Sequence, residues 1–284
     1  MPELPEVEVL ARHLAPLLEG RRVRRVTVFR PRVVRPQTAE DFARALLGAR
    51  FIGLQRRGKY LVFALRRPGS GREFTLIGHL GMTGRMYLLP ARAAGPRHGA
   101  VALDLGRHRL ILEDPRYFGR LTLDARVLDR LGPEPLDGAF TPAALAAALR
   151  GSRQTVKVRL LDQAVVAGLG NIYASEALFH ARLSPRRAAG ALETAEIRRL
   201  HAAIRAVLRE AIRFGSTVPL DWVGAAGSDR LFYSGRAAGA PDYLEERLAV
   251  YDRAGEPCRR CGARVRRLVQ AGRSTFYCPR CQRG

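Results

Sequence analysis

Apolar residues at Val7, Leu10, Leu14, Leu17 and Leu18 recur at three- and four-residue steps, the spacing of one helix face. The pattern predicts a helix over 5–18, closed by Gly20, because glycine enters left-handed backbone without a steric penalty. From 22 to about 124 the period shortens. Short β-branched and aromatic runs at 23–29, 60–65, 74–77 and 109–112 are separated by turn residues, as expected of an antiparallel sandwich. One helix should interrupt them at about 38–47. Residues 132–135, with two prolines and a glycine, form a stiff boundary, and Thr141-Pro142 opens a new helix with a cap and a first-turn proline. The second half reads as helices at about 141–150, 155–163, 171–181 and 194–214. Residues 215–256 are rich in Gly and Ala with little period and read as a mobile loop. A final hairpin carries every cysteine. There is no internal repeat.

The fold class is therefore α+β. A leading helix and an antiparallel β-sandwich occupy 1–136, a helical region 137–256, and a four-cysteine hairpin 257–284. The 284 residues suffice for two domains with real cores.

Charge changes the picture next. Forty-nine basic residues against 26 acidic ones leave a formal +23, which points to a polyanionic partner, nucleic acid ahead of a membrane surface. An arginine-rich solvated surface would account for part of it. Only two of the 49 cations are lysines, Lys59 and Lys157, and lysine offers a compact, deprotonatable amine that arginine does not. No apolar run approaches ~20 residues and no charged-then-apolar leader precedes the first helix, so a soluble intracellular protein is expected.

The first eight residues, Met-Pro-Glu-Leu-Pro-Glu-Val-Glu, hold the densest chemistry. Methionine before a small residue is normally trimmed, which would leave Pro2 as the terminal amine with Glu3 beside it. Such an amine titrates near 8, against about 10.4 for lysine, so far more of it is neutral at pH 7. A neutral amine can attack an electrophilic carbon and form an iminium. The plainer reading is a helix that starts at Pro5 with acids near its positive end.

Cys258-x-x-Cys261 and Cys278-x-x-Cys281, sixteen residues apart, have the spacing of a structural zinc site. Four thiolates leave no open position on the metal. Arg264, Arg266, Arg267 and Arg273 lie between the pairs. Residues 168–173, Gly-Leu-Gly-Asn-Ile-Tyr, read as a tight turn into a helix beginning at Asn171, which caps that helix, meets a phosphate at its N-terminus, or does both.

These motifs, with Gly-Lys-Tyr at 58–60, His-Leu-Gly-Met-Thr-Gly at 79–84, Asp-Pro-Arg-Tyr-Phe-Gly at 114–119 and Leu-Gly-Pro-Glu-Pro-Leu at 131–136, resemble the formamidopyrimidine-DNA glycosylase family. They occur in the family's order from residue 1 to residue 281. The resemblance implies excision of oxidised purines from duplex DNA through a Schiff base on Pro2, then strand cutting by β,δ-elimination. It implies a helix-two-turn-helix domain, one structural zinc per chain, and a monomer in the bacterial cytoplasm, associated with the nucleoid through its DNA. Glu3 becomes the general acid/base and Glu6 a supporting acid. Lys59 becomes a phosphate and sugar contact and Arg273 a phosphate-binding arginine, both counted with the catalytic set; Lys157 matches a lysine near the lesion. His79, Met82, Arg116, Phe118 and Asn171 become DNA contacts. Met82 and Phe118 would fill the gap left by a flipped base, and Arg116 would read the orphaned partner. Without the resemblance, Met82 and Phe118 read as core residues.

Two departures stand out. Tyr117 occupies a position where the family often has a second arginine, and 215–218 read Gly-Ser-Thr-Val where the family commonly has Gly-Gly-Thr-Thr. The rival functions are an endonuclease VIII-like glycosylase for oxidised pyrimidines and a zinc-bearing DNA-binding protein without turnover.

Overall fold

The computed structural model describes residues 2–214 and 248–283. Most of the expected mobile loop, and with it the departure at 215–218, lies outside the described residues. Those residues form two compact units, the first made of Pro2 and residues 6–129 and the second of Glu3–Pro5, residues 130–214 and residues 248–283.

The first unit is built on α1 (Leu4–Leu18) and two four-stranded antiparallel sheets. One sheet runs β1 (Arg25–Val28), β6 (Gly99–Asp104), β7 (His108–Glu113), β5 (Arg85–Pro90). The other runs β2 (Arg50–Arg57), β3 (Tyr60–Arg66), β4 (Glu73–His79), β8 (Arg120–Thr122). Alternation on β3 sends Leu61, Phe63 and Leu65 inward. There they join Met86 and Leu89 of β5, Val101 and Leu103 of β6 and Val7, Leu10 and Leu14 of α1 in one apolar core. The expected sandwich and its interrupting helix, α2 (Ala39–Leu46), are present, with Thr38 accepting from the Asp41 N–H at 3.1 Å as N-cap. Glu8 fastens α1 to β2 through Arg56 at 2.7 Å. Burial pushes the Glu8 carboxyl up, but the hydrogen bonds and charges of Arg56 and Arg12 outweigh this and hold it below the usual carboxylate range.

The second unit contains α3 (Pro142–Leu149), α4 (Val156–Leu160), α5 (Asn171–His180), α6 (Thr194–Arg213) and the hairpin of β9 (Arg266–Gln270) and β10 (Arg273–Tyr277). Thr141 caps α3 as expected, its Oγ1 accepting from the Ala144 N–H at 3.1 Å. α4 is shorter than predicted, because the Asp162 carboxylate accepts from the Ala164 N–H and turns the chain out of the helix. Residues Ile172–Phe179 of α5 are all buried, so this helix shows no polar face and lies at the centre of its unit. The one acid inside it, Glu176, accepts from the amides of Ala249, Val250 and Tyr251 at 2.8–3.0 Å and fixes the segment that leads into the hairpin. That hairpin turns through Ala271 and Gly272, both at positive φ (46° and 72°), as a two-residue turn of matching twist requires. Among the described residues no helix is long and apolar enough to cross a membrane.

Candidate active site

Glu3 is 1% exposed, and its carboxylate lies at the start of α5. Oε1 accepts from the Ile172 N–H at 2.9 Å and Oε2 from the Tyr173 N–H at 3.4 Å. First-turn amides of a helix have no partner within the helix, and the positive end of its dipole favours an anion. The cap of α5 is thus supplied from 169 residues away. Gly170 makes room for it. Its backbone is extended (φ −133°), so conformation does not demand glycine, but a Cβ there would lie 2.2 Å from Glu3 Cδ. The expectation that Asn171 caps the helix is corrected by this geometry, since Gly170 is the N-cap residue and makes no side-chain cap bond.

Asn171 points elsewhere. Its Oδ1 accepts from Lys157 Nζ at 2.5 Å, and its Nδ2 donates to the Ser274 carbonyl at 2.9 Å. Lys157 is fully buried and directs its other two donors to the Ser274 carbonyl at 3.0 Å and Thr275 Oγ1 at 2.7 Å. Burial pushes its ammonium down from 10.5 to about 8, Glu3 draws it up, and Arg273 pushes it down again. Lys157 is therefore a pin between α4, α5 and β10. Arg273 stands exposed at the first position of β10. The structure thus gathers Glu3, Lys157, Asn171 and Arg273 in the second unit.

In the first unit Pro2 is half-buried ahead of α1, and Glu6, in the first turn, is 8% exposed. Lys59 sits nearly buried in the turn between β2 and β3, beside the paired residues Tyr60 and His79. The His79 ring lies 4.8 Å from that of Tyr60, and Nδ1 accepts from the Gly81 N–H at 3.1 Å. Burial, then Lys59, then Arg120 push its pKa from 6.5 down to about 4. Between those values the unfolded chain binds a proton that the folded protein refuses. The His79 contribution is therefore complete above pH 6.5 and is lost as pH falls through about 4. Chemical denaturation at pH 7 and pH 4.5 should show a loss on the order of 1–3 kcal/mol. His79→Gln, which keeps an acceptor without the titration, should remove that part of the pH slope; an unchanged slope would assign it to other groups.

His79 opens a loop that meets the 114–119 loop. A Cβ on Gly81, which has φ +68°, would approach Gly119 N to 2.8 Å. Asp114, wholly buried, ties the two together by accepting from Thr83 Oγ1 at 2.6 Å, the Arg116 N–H at 3.1 Å and the Gly119 N–H at 2.7 Å. At their tips Met82 and Phe118 are 46% and 44% exposed, against their bare-pattern reading as core. The Arg116 guanidinium lies 4.9 Å from the Phe118 ring centroid, with Nη1 donating to Met82 Sδ at 3.6 Å. Two exposed apolar wedges flanking a guanidinium that has no carboxylate partner among the described residues can enter a base stack. Asp114, Gly170 and Glu176 had no assigned role in the sequence reading. Only Glu176 carried a signal there, as a lone acid within an apolar helix.

The four cysteine sulfurs lie within 4.8 Å of one another, with Cys258 to Cys281 at 3.9 Å and Cys261 to Cys278 at 3.5 Å. Zn–S bonds of about 2.3 Å in a tetrahedron place sulfurs about 3.8 Å apart, so the set fits zinc.

Comparison with known proteins agrees along the whole chain. Residues 1–121 match the formamidopyrimidine-DNA glycosylase N-terminal domain, 131–220 the H2TH domain of the same enzymes, and 255–284 a zinc finger found in FPG and IleRS. Formamidopyrimidine-DNA glycosylases of Acidiphilium cryptum and Paracoccus denitrificans are 43% and 44% identical, covering 100% and 99% of this chain and 100% of their own. Among solved structures, a mutant Lactococcus lactis FPG bound to Fapy-dG-containing DNA superposes with a TM-score of 0.87 at 33% identity, each chain covered completely. Wild-type L. lactis FPG with DNA containing an oxidised pyrimidine gives 0.86 at the same identity and coverage. With the motifs, both units and the cysteine cluster in agreement, the chain belongs to the formamidopyrimidine-DNA glycosylase family.

Proposed function

We propose that this protein is a DNA glycosylase and abasic-site lyase that removes oxidised purines from duplex DNA. The observation that carries the reading is Glu3, one residue from the Pro2 amine and held in place by the amides of α5. With Met1 removed, the neutral Pro2 amine attacks C1′ of the damaged nucleotide. The C1′–base bond breaks and the base leaves with a proton, the prolyl nitrogen gives up its own proton, and the C1′–O4′ bond then opens with O4′ protonated, so that nitrogen and C1′ are left as an iminium. Glu3 supplies the proton to the base or to the sugar O4′. Loss of a C2′ proton from the iminium drives β-elimination of the 3′ phosphate, and δ-elimination then releases the 5′ phosphate. Glu6 supports the Pro2 end of α1. Lys59, Asn171 and Arg273 hold phosphates, and Lys157 holds Asn171. His79 supports the loop bearing Met82, which with Phe118 and Arg116 enters the stack. The zinc cross-links the hairpin and takes no part in the chemistry. The division into 1–136, 137–256 and 257–284, a monomeric state and a place on chromosomal DNA in the cytoplasm complete the proposal.

Borohydride reduction of the protein on an 8-oxoguanine duplex tests it. A stable covalent adduct is expected, whereas binding without an adduct would favour a DNA-binding protein without turnover. The oxidised-pyrimidine complex of the L. lactis enzyme favours a second reading, with pyrimidine lesions as principal substrates. Competition between the two lesion classes decides it.

Arg116→Ala follows from the wedge. Orphaned cytosine offers two acceptors to a guanidinium and adenine no equivalent pair, and a bidentate contact discriminates by about 1–3 kcal/mol. Single-turnover excision should therefore favour 8-oxoguanine opposite cytosine over adenine by roughly 5- to 150-fold, and the variant should lose that preference. Equal wild-type rates would remove Arg116 from this role.

Cys261→Ser opens the metal site and unties Ser274 and Thr275 from Lys157. Duplex affinity should fall more than about tenfold, while amide exchange in the sandwich stays as in wild type. An active preparation holding much less than one zinc per chain would contradict this.

A further inference from the structure

Arg116 is not the only guanidinium stacked at the wedge loop. The next residue, Tyr117, carries a second one, with Arg30 Cζ 4.9 Å from its ring centroid. Tyr117 has φ 52°, a left-handed backbone uncommon for a bulky aromatic residue, and strain of this kind gathers at binding sites. Its amide is fixed by the Asp114 carbonyl at 3.2 Å, and its ring packs on the sandwich core, so the platform is rigid. Arg30 comes from the chain just after β1. It is exposed and, among the described residues, forms no ion pair, and its one side-chain hydrogen bond is Nη1 to the Phe29 carbonyl at 3.1 Å. Many surface arginines here, such as Arg44, Arg66 and Arg126, are paired with carboxylates. A guanidinium held flat on a ring instead keeps its full charge and most of its donors for an oxyanion. Consecutive residues of one loop thus present two stacked cations, Arg116 on Phe118 and Arg30 on Tyr117.

We propose that Arg30, on the Tyr117 platform, binds a backbone phosphate of the duplex beside the wedge. This rests on the proposed reading of the chain as a duplex-DNA enzyme. A phosphate contact carries no base information, so it separates from Arg116 in its signature.

The test uses the full-length zinc-loaded protein and a duplex carrying a tetrahydrofuran abasic analogue, with affinity measured over a series of salt concentrations. Arg30→Ala should weaken binding about tenfold and reduce the slope of log affinity against log salt by about 0.9, the value of one phosphate. Arg30→Lys should keep the slope and lose part of the affinity. Tyr117→Asn, which tolerates left-handed backbone but has no ring, should also lose affinity at an unchanged slope. In all three the preference for lesion opposite cytosine should persist. Wild-type slope and affinity in Arg30→Ala would overturn the inference while leaving the glycosylase reading intact. Wild-type affinity in Tyr117→Asn would overturn the platform. Wild-type protein that neither binds the duplex nor forms the borohydride adduct would overturn both readings.

Discussion

Protein that keeps a residue in front of Pro2 is expected to bind a lesion duplex but neither excise the base nor cut the strand. Acylation turns the prolyl nitrogen into a tertiary amide, which has no lone pair to donate. The structure sharpens this expectation because it contains a competitor. Burial pushes Lys157 down to about 8, close to an α-amine, so acidity alone would make it an equally available nucleophile. Its position removes it from contention. The side chain is fully buried, and Nζ is held by Asn171, Ser274 and Thr275. An attacking amine would have to break those three contacts and take a donor away from Asn171 Oδ1 and Thr275 Oγ1 in the interior. Peptide mapping of the borohydride adduct should therefore place it on Pro2, and blocked protein should yield none. An adduct on Lys157, or full strand cutting by blocked protein, would sink the assignment.

Glu3→Gln should slow base excision about 10²–10⁴-fold, the usual value of a placed acid or base, with the strand-cutting step on a preformed abasic site affected separately. The amide has nearly the same volume and one oxygen left to accept from Ile172 or Tyr173, so the fold should survive with at most the loss of a helix cap, about 0.5–2 kcal/mol. Gly170→Ala asks a different question, because it keeps the carboxylate and moves it. The new methyl would overlap the Glu3 carboxyl, so the side chain must swing aside and give up its bonds to the Ile172 and Tyr173 amides, which costs at most the helix cap, about 0.5–2 kcal/mol. If excision depends on where the carboxylate is held, Gly170→Ala should lose at least about tenfold in single-turnover rate while losing no more stability than Glu3→Gln. A wild-type rate in Gly170→Ala would show that any carboxylate near Pro2 suffices.

Most of the scaffold was legible along the chain because its signals are local. The Leu10, Leu14 and Leu18 stripe, the alternation of Leu61, Phe63 and Leu65, the Thr141 cap and the paired cysteines each depend on neighbours within a few residues. The structure shows each where its pattern implied. For Met82 and Phe118 bare chemistry suggested core positions, and the structure instead leaves both exposed. What only the tertiary structure decided are contacts whose partners lie far apart in sequence. Glu3 caps a helix 169 residues later, and that contact in turn explains why position 170 is glycine despite an ordinary backbone angle. The chain pattern puts Lys157 on a helix, but its burial is decided by three acceptors, two of them more than 100 residues away. Arg30 and Tyr117 are 87 positions apart and meet only because β1 and the 114–119 loop belong to the same folded unit. Hydrophobic periodicity records which face of an element is buried; the pairing of one polar atom with another is a matter of three-dimensional placement, and no local pattern encodes it.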